Sequence, residues 1–575
     1  MRHSKYVKGA VTLLLSLSGV LALLACSKEP AVDATTPSEK AMENGKSANE
    51  GLRRCQRYVM GWLALADPKS GLIPRNLQDR YWNAKDTAAD NYPFLVLSMS
   101  FTDRPLFESR MREMLAAEIQ LTSRVGRLPD TYDFAKGAFL KEKPDLPAIL
   151  FGASEYVKDG LLPITEWLGP SPWRDRMIGL LDDIWKYAPI ETPVGKIVSD
   201  NVEVNGVMLQ VLPRVYWMTG EEKYLDRAVR LGDYYLLGNH HPTRDTASLR
   251  LRDHGNEVVS GLCELYATVH FARPEKERAY REPIHAMLDR ILEVGRNKDG
   301  LFYDAVNPQT GAVAKKRLAD NWGYILNGFY TVYLVDGTQA YRQATLKVLA
   351  SLARKYRGYR WEGERADGYA DAIEGALYLY NRERVASTAA WMDSEIRVLW
   401  GKQKQDGTIE GYHCDGNFAR TTLMYCLWKT GGVSIRPWRE DVVFGSVDLT
   451  GGVKSEGGVD SAGGVKSKSG VKSEGGVDSA GGLLIAIRAE KDWQGTLLFD
   501  APRHKTIMKL PLDWPRINQF PEWFTVAPEG RYSIRDAATG GAERVYSGGD
   551  LHAGIPLTLR AGEEKHIEIQ RHPQR

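Results

Sequence analysis

Cysteine, histidine and net charge are all scarce in this chain of 575 residues. It has 5 cysteines and 11 histidines, and 76 basic residues nearly balance 73 acidic ones. The sequence has no CxxC pair, no HExxH, no calcium-loop spacing and no glycine-rich phosphate loop, so the common signatures of metal and nucleotide sites are missing. A balanced charge gives no reason to expect nucleic-acid binding. We therefore expect no metal and no cofactor.

The N-terminus has the pattern of a secretory leader. Three basic residues precede an apolar run from Val11 to Leu24, which ends at Leu23-Leu24-Ala25-Cys26. The run is short for a transmembrane span, and its ending resembles a bacterial lipoprotein box. The resemblance implies that residues 1–26 are a lipoprotein signal segment, with cleavage before Cys26 and lipidation of that cysteine. Because Ser27 follows, it also implies anchoring at the outer membrane, on its periplasmic face or at the cell surface. Residues 27–49 have few large apolar side chains and are predicted to be a flexible tether.

The other cysteines are widely spaced. Cys55 and Cys263 lie in apolar helical patterns and are predicted to be buried. In an oxidising compartment a disulfide between Cys414 and Cys426 is an open alternative that the spacing does not decide.

Residues 50–435 read as one helix after another. Amphipathic helices, predicted to be outer helices, cover 50–66, 104–122, 172–188, 221–237, 275–295, 338–356 and 387–403. Nearly uniformly apolar helices, predicted to be buried inner ones, begin near Asp90, Pro147, Glu203, His254, Asp320, Asp367 and Cys414. About seven helical hairpins of roughly 40 to 60 residues follow, which is typical of a closed or stacked array.

Acidic residues recur at the starts of the inner helices. Four of them precede a tyrosine by thirteen positions, in the pairs Glu203 and Tyr216, Asp253 and Tyr266, Asp320 and Tyr333, and Asp367 and Tyr380. The spacing predicts equivalent helices that begin at one level, with Asp320 as an N-cap. Glycines within these helices, such as Gly323 and Gly328, are expected to let neighbouring helices approach closely.

The links between helices are unequal at the two ends of the array. Links at one end are long and rich in aromatics and glycine, whereas the returns at the other end are short, as at Thr219-Gly220. This asymmetry favours a toroid with a cleft. With its Asp-Gly-Leu-Phe at Asp299–Phe302 and Asp-Asn-Trp-Gly-Tyr at Asp320–Tyr324, the chain resembles the six-hairpin glycosidase superfamily over residues 50–435. That resemblance implies an (α/α)6 or (α/α)7 toroid that acts on carbohydrate.

The composition changes after residue 435. Residues 436–575 are predicted to form an antiparallel β-sandwich, which makes the whole an α+β multidomain protein. The expected strands are 441–447, 483–489, 496–499, 506–510, 523–526, 531–534 and 565–570. VKSEGGVDSAGG occurs at 453–464 and again at 471–482, so 450–482 is predicted to be a disordered insert. The aromatic run 513–523 is expected to brace the domain boundary.

Paired carboxyl groups carry the predicted chemistry. Glycoside hydrolysis uses one protonated acid and a second carboxylate, and neighbouring carboxylates raise each other's proton affinity. The candidate catalytic residues are Asp320, Tyr324, Asp371, Asp90, His254 and Glu257. The candidate residues for binding a poly- or oligosaccharide are Trp82, Tyr92, Asn256, Trp322, Tyr369, His413 and Arg420.

Two other functions fit the same residues. A polysaccharide lyase acting on a uronate needs a neutralising Asn, Arg or His and a Tyr or His base, and these types occur at the same helix ends. A non-catalytic, surface glycan-binding lipoprotein would use the aromatics alone. Epimerases also occur in toroids of this kind, so an epimerase is a further alternative that the fold does not exclude. The number of acids favours hydrolysis, and a substrate that contains uronic acid is an open alternative. The sequence does not give the oligomeric state.

Overall fold

The computed structural model describes residues 36–409, 415–449, 481–538, 540 and 542–572. The predictions for Cys26, His413, Cys414 and nearly all of the repeat insert lie outside these residues. The α-helices within them are α1 (Pro37–Ala64), α2 (Tyr92–Thr102), α3 (Arg104–Glu108), α4 (Arg110–Thr122), α5 (Leu146–Glu155), α6 (Leu162–Leu168), α7 (Pro172–Lys186), α8 (Val202–Thr219), α9 (Glu222–Gly232), α10 (Glu257–Ala272), α11 (Pro274–Val294), α12 (Trp322–Asp336), α13 (Gln339–Lys355), α14 (Ala366–Arg382), α15 (Ala386–Trp400), α16 (Asn417–Thr430), α17 (Arg503–Thr506) and α18 (Gly548–Ala553).

Two inner helices are extended by π-helical turns. The turns Ala84–Asn91 lead into α2, and the turns Tyr156–Leu161 join α5 to α6. A third π-helical segment, Asp233–Leu237, follows α9, and 3₁₀ turns occupy Asp253–Asn256 and Trp361–Gly363. An inserted π turn shifts the side chains after it around the helix, and such turns are frequent at functional sites.

The inner helices form a closed ring in the described part of the chain. Each contacts the next in the order 84–102, 146–168, α8, α10, α12, α14 and α16, and α16 in turn contacts α2. The outer helices α1, α4, α7, α9, α11, α13 and α15 alternate with them along the sequence. The helices are apolar on all sides where two layers cover them, as in α10, because both faces are removed from water. The predicted toroid is confirmed, with seven hairpins.

Glycines let the inner helices approach each other, as predicted. A Cβ on Gly323 of α12 would lie 2.3 Å from Cα of Gly375 on α14, and one on Gly328 would lie 3.1 Å from Sγ of Cys263. Cys55, Cys263 and Cys426 are buried free thiols, and Cys426 Sγ donates to the carbonyl oxygen of Ala48.

The predicted tether is wrong from residue 37 onward. Helix α1 begins at Pro37, and Ala41, Gly45 and Ala48 are buried where it packs on the strand 442–448. A Cβ on Gly45 would lie 2.7 Å from the carbonyl carbon of Phe444, so only a small residue fits. The small side chains that resemble a linker are the ones that allow this close packing. In the described residues no helix is long and apolar enough to cross a membrane.

The strands in the described residues pair antiparallel, apart from one isolated parallel bridge. They are β1 (Tyr81–Trp82), β2 (Ser123–Val125), β3 (Leu128–Pro129), β4 (Tyr132–Asp133), β5 (Ala138–Phe139), β6 (Leu249–Arg250), β7 (Tyr303–Val306), β8 (Val313–Leu318), β9 (Ser434–Arg436), β10 (Val442–Asp448), β11 (Gly482–Ala489), β12 (Trp493–Leu498), β13 (Arg531–Asp536), β14 (Arg544–Ser547), β15 (Ile555–Leu559) and β16 (Glu564–Arg571). The first eight form small sheets in the loops of the toroid.

The C-terminal region holds two antiparallel sheets. Their strand orders are β10-β11-β16-β13-β14 and β15-β12-β9, and α1 packs against β10 and β11. Two predicted strands are wrong: 506–510 follows the short helix α17, and 523–526 contributes only a bridge between Thr525 and Asp500. Three prolines, Pro511, Pro515 and Pro521, lie between them, and proline cannot donate a ladder hydrogen bond.

Candidate active site

A cavity of about 230 Å³ lies where the inner helices begin. Its carboxyl residues are Asp86, Asp90, Glu155, Glu203, Asp253, Glu362, Asp367 and Asp415. Lys85, Phe151, Arg252, His254 and Arg365 complete the lining. Three of the four acids in the thirteen-residue spacing, Glu203, Asp253 and Asp367, therefore meet at one level, because successive inner helices are parallel members of one ring.

Asp90 faces this cavity from the π-helical turns before α2. Asn83 caps these turns, since its side chain accepts hydrogen bonds from the amides of Asp86 and Thr87. Asp86 is held by Arg75, whose Nε lies 2.6 Å from its Oδ2. Burial, with the nearby charges of Asp159 and Asp86, raises the pKa of Asp90 well above its ordinary value. Asp90 therefore stays protonated at a higher pH than a free aspartate.

Asp367 also lines the cavity, in the first turn of α14. Its Oδ1 accepts a hydrogen bond of 2.6 Å from Nδ2 of Asn417, the first residue of α16. Its charge is also one cause of the raised pKa of Asp90. Asp367 is therefore a second carboxyl group of the lining, close enough to Asp90 to affect its pKa.

His254 and Glu257 have different surroundings. Burial alone would lower the pKa of His254, but Glu155, Asp253 and Glu203 raise it well above its usual value. Glu257 is outside the cavity lining: Nζ of Lys158 lies 2.6 Å from its Oε1, and Nε2 of Gln210 lies 2.6 Å from its Oε2. Burial would raise the pKa of Glu257, but Lys158 and His254 outweigh it and lower the pKa to about 2. Glu257 is thus a buried ion-pair member rather than an acid catalyst.

A second network of predicted residues lies beside the cavity lining. The hydroxyl of Tyr324 lies 2.8 Å from Asp371 Oδ1 and 2.5 Å from Glu374 Oε2. Nη2 of Arg420 lies 2.7 Å and 2.5 Å from the same two carboxylates. Burial and the charge of Asp367 raise the pKa of Asp371 to about 6, although Arg420 opposes the shift. These four side chains therefore form one group joined by hydrogen bonds and ion pairs.

Asp320 is not the cap that its position predicts. The N-cap of α12 is Asn321, without a side-chain capping bond, and Asp320 Oδ1 accepts only from the adjacent Asn321 amide among the described contacts. Burial and the charges of Asp371 and Glu362 raise the pKa of Asp320 well above its usual value. Asp320 is buried beside the lining residues rather than among them.

The four predicted aromatic platforms are core residues. Trp82 packs edge-on against Tyr156, and Trp322 packs edge-on against Trp391. The hydroxyl of Tyr92 donates to the carbonyl of Met111, and Tyr369 lies under Nζ of Lys402. All four are nearly inaccessible to solvent, so none presents a ring face to a sugar. Asn256 is also buried, and its amide donates to the carbonyl of Asp253 within the 3₁₀ turn.

The sequence patterns did not predict several residues of the site, because these residues lie in irregular turns or late in a helix. Glu362 and Asp415 line the cavity from loops, and like Asp253 they have positive φ angles of 46°, 48° and 55°. Such conformations are costly for residues other than glycine and cluster at functional sites. Glu155 is the last of the ten residues of α5. No repeated spacing marks these positions in the sequence.

Residues 513–520 reach the toroid from the C-terminal region. Trp514 to Phe520 are all buried, and Asn518 has a φ of 61°. Its Oδ1 accepts from Arg420 Nη1 at 2.9 Å, its backbone amide donates to Glu374 Oε1 at 3.0 Å, and its Nδ2 donates to Asp159. The segment therefore does more than brace a boundary, because it hydrogen-bonds the buried network of Tyr324.

The chain matches no protein-family model, and no curated protein matches significantly. Among solved structures it is similar to the family 76 glycoside hydrolase (mannosidase) Bt3792 from Bacteroides thetaiotaomicron VPI-5482, at 14% identity and a TM-score of 0.38, over 66% of this chain and 98% of that one. The α-1,6-mannanase GH76A of Salegentibacter sp. HEL1_6 gives 9% identity and 0.38, over 65% and 98%. Cellobiose 2-epimerase from Bacillus thermoamylovorans B4167 gives 12% and 0.36, over 66% and 98%. Similarity this low assigns neither reaction nor substrate.

Proposed function

We propose that this protein is a glycoside hydrolase that cleaves a poly- or oligosaccharide in the acidic cavity. The observation that carries the proposal is the pairing of Asp90 with Asp367 in one lining. Asp90 has a raised pKa and suits a proton donor, and Asp367 lies in the same lining, where its side chain accepts a hydrogen bond from Asn417. Hydrolysis of a glycosidic bond uses one protonated acid together with a second carboxyl group, and this lining supplies both.

The proposed reaction divides the work between the two carboxyl groups. Asp90 gives its proton to the glycosidic oxygen as the bond to the anomeric carbon breaks, and that oxygen keeps the bonding electron pair. Asp367 acts as the carboxylate that attacks the anomeric carbon or deprotonates the attacking water. The positive charge that develops on the sugar ring is stabilised by the surrounding carboxylates.

The charge of the lining favours a neutral or cationic sugar. Eight carboxyl residues face the cavity, and two of its cations are engaged, since Arg252 and Arg365 both contact Glu362. Two like charges about 4 Å apart repel by about 4 kcal/mol near a protein surface. A uronate bound beside an ionised carboxylate of this lining would meet such repulsion, which favours a neutral sugar over a uronate and hydrolysis over the lyase alternative.

The test compares Asp90→Asn and Asp367→Asn with Asp226→Asn, a surface variant outside the cavity. Turnover should fall by roughly a hundredfold or more in the first two and stay unchanged in the third, with equal melting temperatures. Reducing ends should be released from neutral polysaccharides without ultraviolet absorbance. An absorbing, unsaturated product from uronate polymers would establish a lyase instead, and binding of glycans without any product would establish a glycan-binding protein.

We further propose that the chain is a lipoprotein held to the outer membrane through Cys26. The support is the leader pattern that ends at Leu23-Leu24-Ala25-Cys26. Mass spectrometry of the N-terminal peptide should find a lipid-modified Cys26, and Cys26→Ala should move the protein into the soluble fraction. An unmodified Cys26 in the membrane fraction would contradict the proposal.

A further inference from the structure

Three ligand-type side chains meet at one wall of the cavity. Glu155 ends α5, Glu203 lies in the first turn of α8, and His254 lies in the 3₁₀ turn before α10. One oxygen or nitrogen from each lies within 4.8 Å of the other two. They come from three successive inner helices, so the packing of neighbouring helices assembles them.

The distances in this cluster exceed those of hydrogen bonds. Nδ1 of His254 lies 3.5 Å from Glu155 Oε2 and 3.6 Å from Glu203 Oε1. Hydrogen bonds between nitrogen and oxygen span about 2.7 to 3.2 Å. Two ligands bound about 2.1 Å from one tetrahedral ion, by contrast, lie about 3.4 Å apart. The spacing therefore fits three ligands of a shared cation better than three hydrogen-bonded groups.

The polar atoms of the cluster also lack hydrogen-bond partners within the described residues. The side chain of Glu155 is only 4% exposed, yet its Oε1 has no partner, and neither has Nδ1 of His254. A buried carboxylate without a partner is costly. Glu257 Oε1 lies 3.4 Å from Nδ1, beyond the usual hydrogen-bond distance, and accepts from Nζ of Lys158. Glu155 Oε1 and His254 Nδ1 are thus buried without a hydrogen-bond partner among the described residues, although ion-pair contacts surround the imidazole.

The other ring nitrogen of His254 faces a carboxylate. Its Nε2 lies 3.4 Å from Asp253 Oδ1. Metal-binding histidines commonly have a carboxylate at the nitrogen opposite the metal, which orients the ring and strengthens the ligand. Asp253 lies at the corresponding nitrogen of His254 and would orient its ring.

We propose that Glu155, Glu203 and His254 bind one divalent transition-metal cation, such as Zn²⁺. One imidazole and two carboxylates suit such an ion, and their two negative charges balance it. Three protein ligands leave a coordination position on the cavity side, where a water or a sugar hydroxyl can bind. The site is independent of the proposed hydrolysis, because neither Asp90 nor Asp367 belongs to it.

The test is calorimetric titration of the chelator-treated full chain with ZnCl₂, together with metal analysis after dialysis. We expect one zinc per chain, and affinity at least tenfold lower in Glu155→Gln and in His254→Gln. Glu362→Gln removes a carboxyl group from the same lining outside the cluster and should keep the wild-type affinity. His254→Gln changes a partly exposed residue, so it tests the site even if Glu155→Gln fails to fold.

Three results would overturn the proposal. One is the absence of stoichiometric zinc binding by the wild-type chain. A second is equal weakening by Glu362→Gln, which would indicate a diffuse acidic surface. The third is unchanged affinity in His254→Gln. Loss of hydrolysis alone would bear only on the proposed function.

Discussion

Glu374 on α14 is a fully buried carboxyl group in contact with Tyr324, Arg420 and the amide of Asn518. Burial raises its pKa to about 7, despite the opposing charge of Arg420. Between its unfolded and folded pKa values the folded protein binds more protons than the unfolded chain. The free energy of unfolding must therefore fall as pH rises through this interval.

We expect Glu374→Gln to flatten this pH dependence between about pH 4.5 and 7. The contribution removed is on the order of 3 kcal/mol, because each unit of pKa difference corresponds to about 1.4 kcal/mol. Chemical unfolding of both proteins across this range measures it, with the exposed Glu282→Gln as control. A parallel pH dependence in wild type and Glu374→Gln would show that Glu374 does not titrate there.

If Asp90 is the general acid, the hydrolysis rate should decline as pH rises, whereas a general base would make it increase. Its raised pKa keeps it protonated, and only the protonated acid can donate to the leaving oxygen. The rate should decline as pH rises through that pKa, and the Asp90→Asn residual rate should lack this decline. Initial rates over a pH series measure both. The same decline in the variant would assign it to another group.

Helices α12 and α14 cross where Gly323 meets Gly375. A Cβ on Gly375 would lie 2.7 Å from Cα of Gly323, and backbone cannot move aside as a flexible side chain does. We expect Gly375→Ala to lower the free energy of unfolding by roughly 1 to 3 kcal/mol. The control is Gly401→Ala, where the nearest atoms lie 3.4 Å away. Equal stability of the two variants in urea unfolding would contradict the close crossing.

At the scale of helices and strands, local patterns predicted most of the toroid and failed at two places. Periodicity and caps fixed the alternating helices, because each signal lies within one element. Helix α1 begins at Pro37 although its first turns resemble a linker, since small residues pack closely on β10. The segment 506–526 does not form the predicted strands, because part of it hydrogen-bonds the toroid, as at Asn518, instead of joining a sheet.

At the scale of the whole molecule, the repeat insert joins two paired strand ends. Asp448 of β10 pairs with Leu483 of β11, and Gly482 already belongs to β11. Deleting 453–480 would leave a short hairpin connection, and hairpins accept such loops. Melting temperature and turnover should stay essentially unchanged, because the deleted composition has no apolar face to bury. A large loss of folded protein would show that the insert is structural.

Asn518 links the C-terminal region to the buried network of the toroid. Asn518→Ala removes hydrogen bonds to Arg420 and Asp159, and alanine adopts the left-handed φ of 61° less readily than asparagine. We expect the free energy of unfolding to fall by roughly 2 to 4 kcal/mol. Asn518→Gly loses the same hydrogen bonds, but glycine adopts this φ freely, so its free energy of unfolding should fall by less. Unfolding of the two variants in urea measures the difference, and wild-type stability of Asn518→Ala would contradict the link.

Local sequence patterns are enough to predict the hairpin array, its inner and outer helices and the acids at the starts of the inner helices. These follow from side-chain periodicity and capping within short stretches of chain. It also marked the change to antiparallel strands after residue 435 and most of their positions. The spacing of Glu203, Asp253 and Asp367 predicted that their helices begin at one level, and all three line one cavity.

Which of these residues meet depends on how the helices pack in three dimensions. Ring closure brings Asp90 and Asp367 into one cavity, and the packing of successive inner helices brings Glu155 to His254. Burial depends on every neighbouring element, so Trp82 and Trp322 became core although their sequence context suits a sugar platform equally well. Asn518 reaches the site from a different part of the chain, and no local pattern encodes the partner that a residue meets more than a hundred positions away.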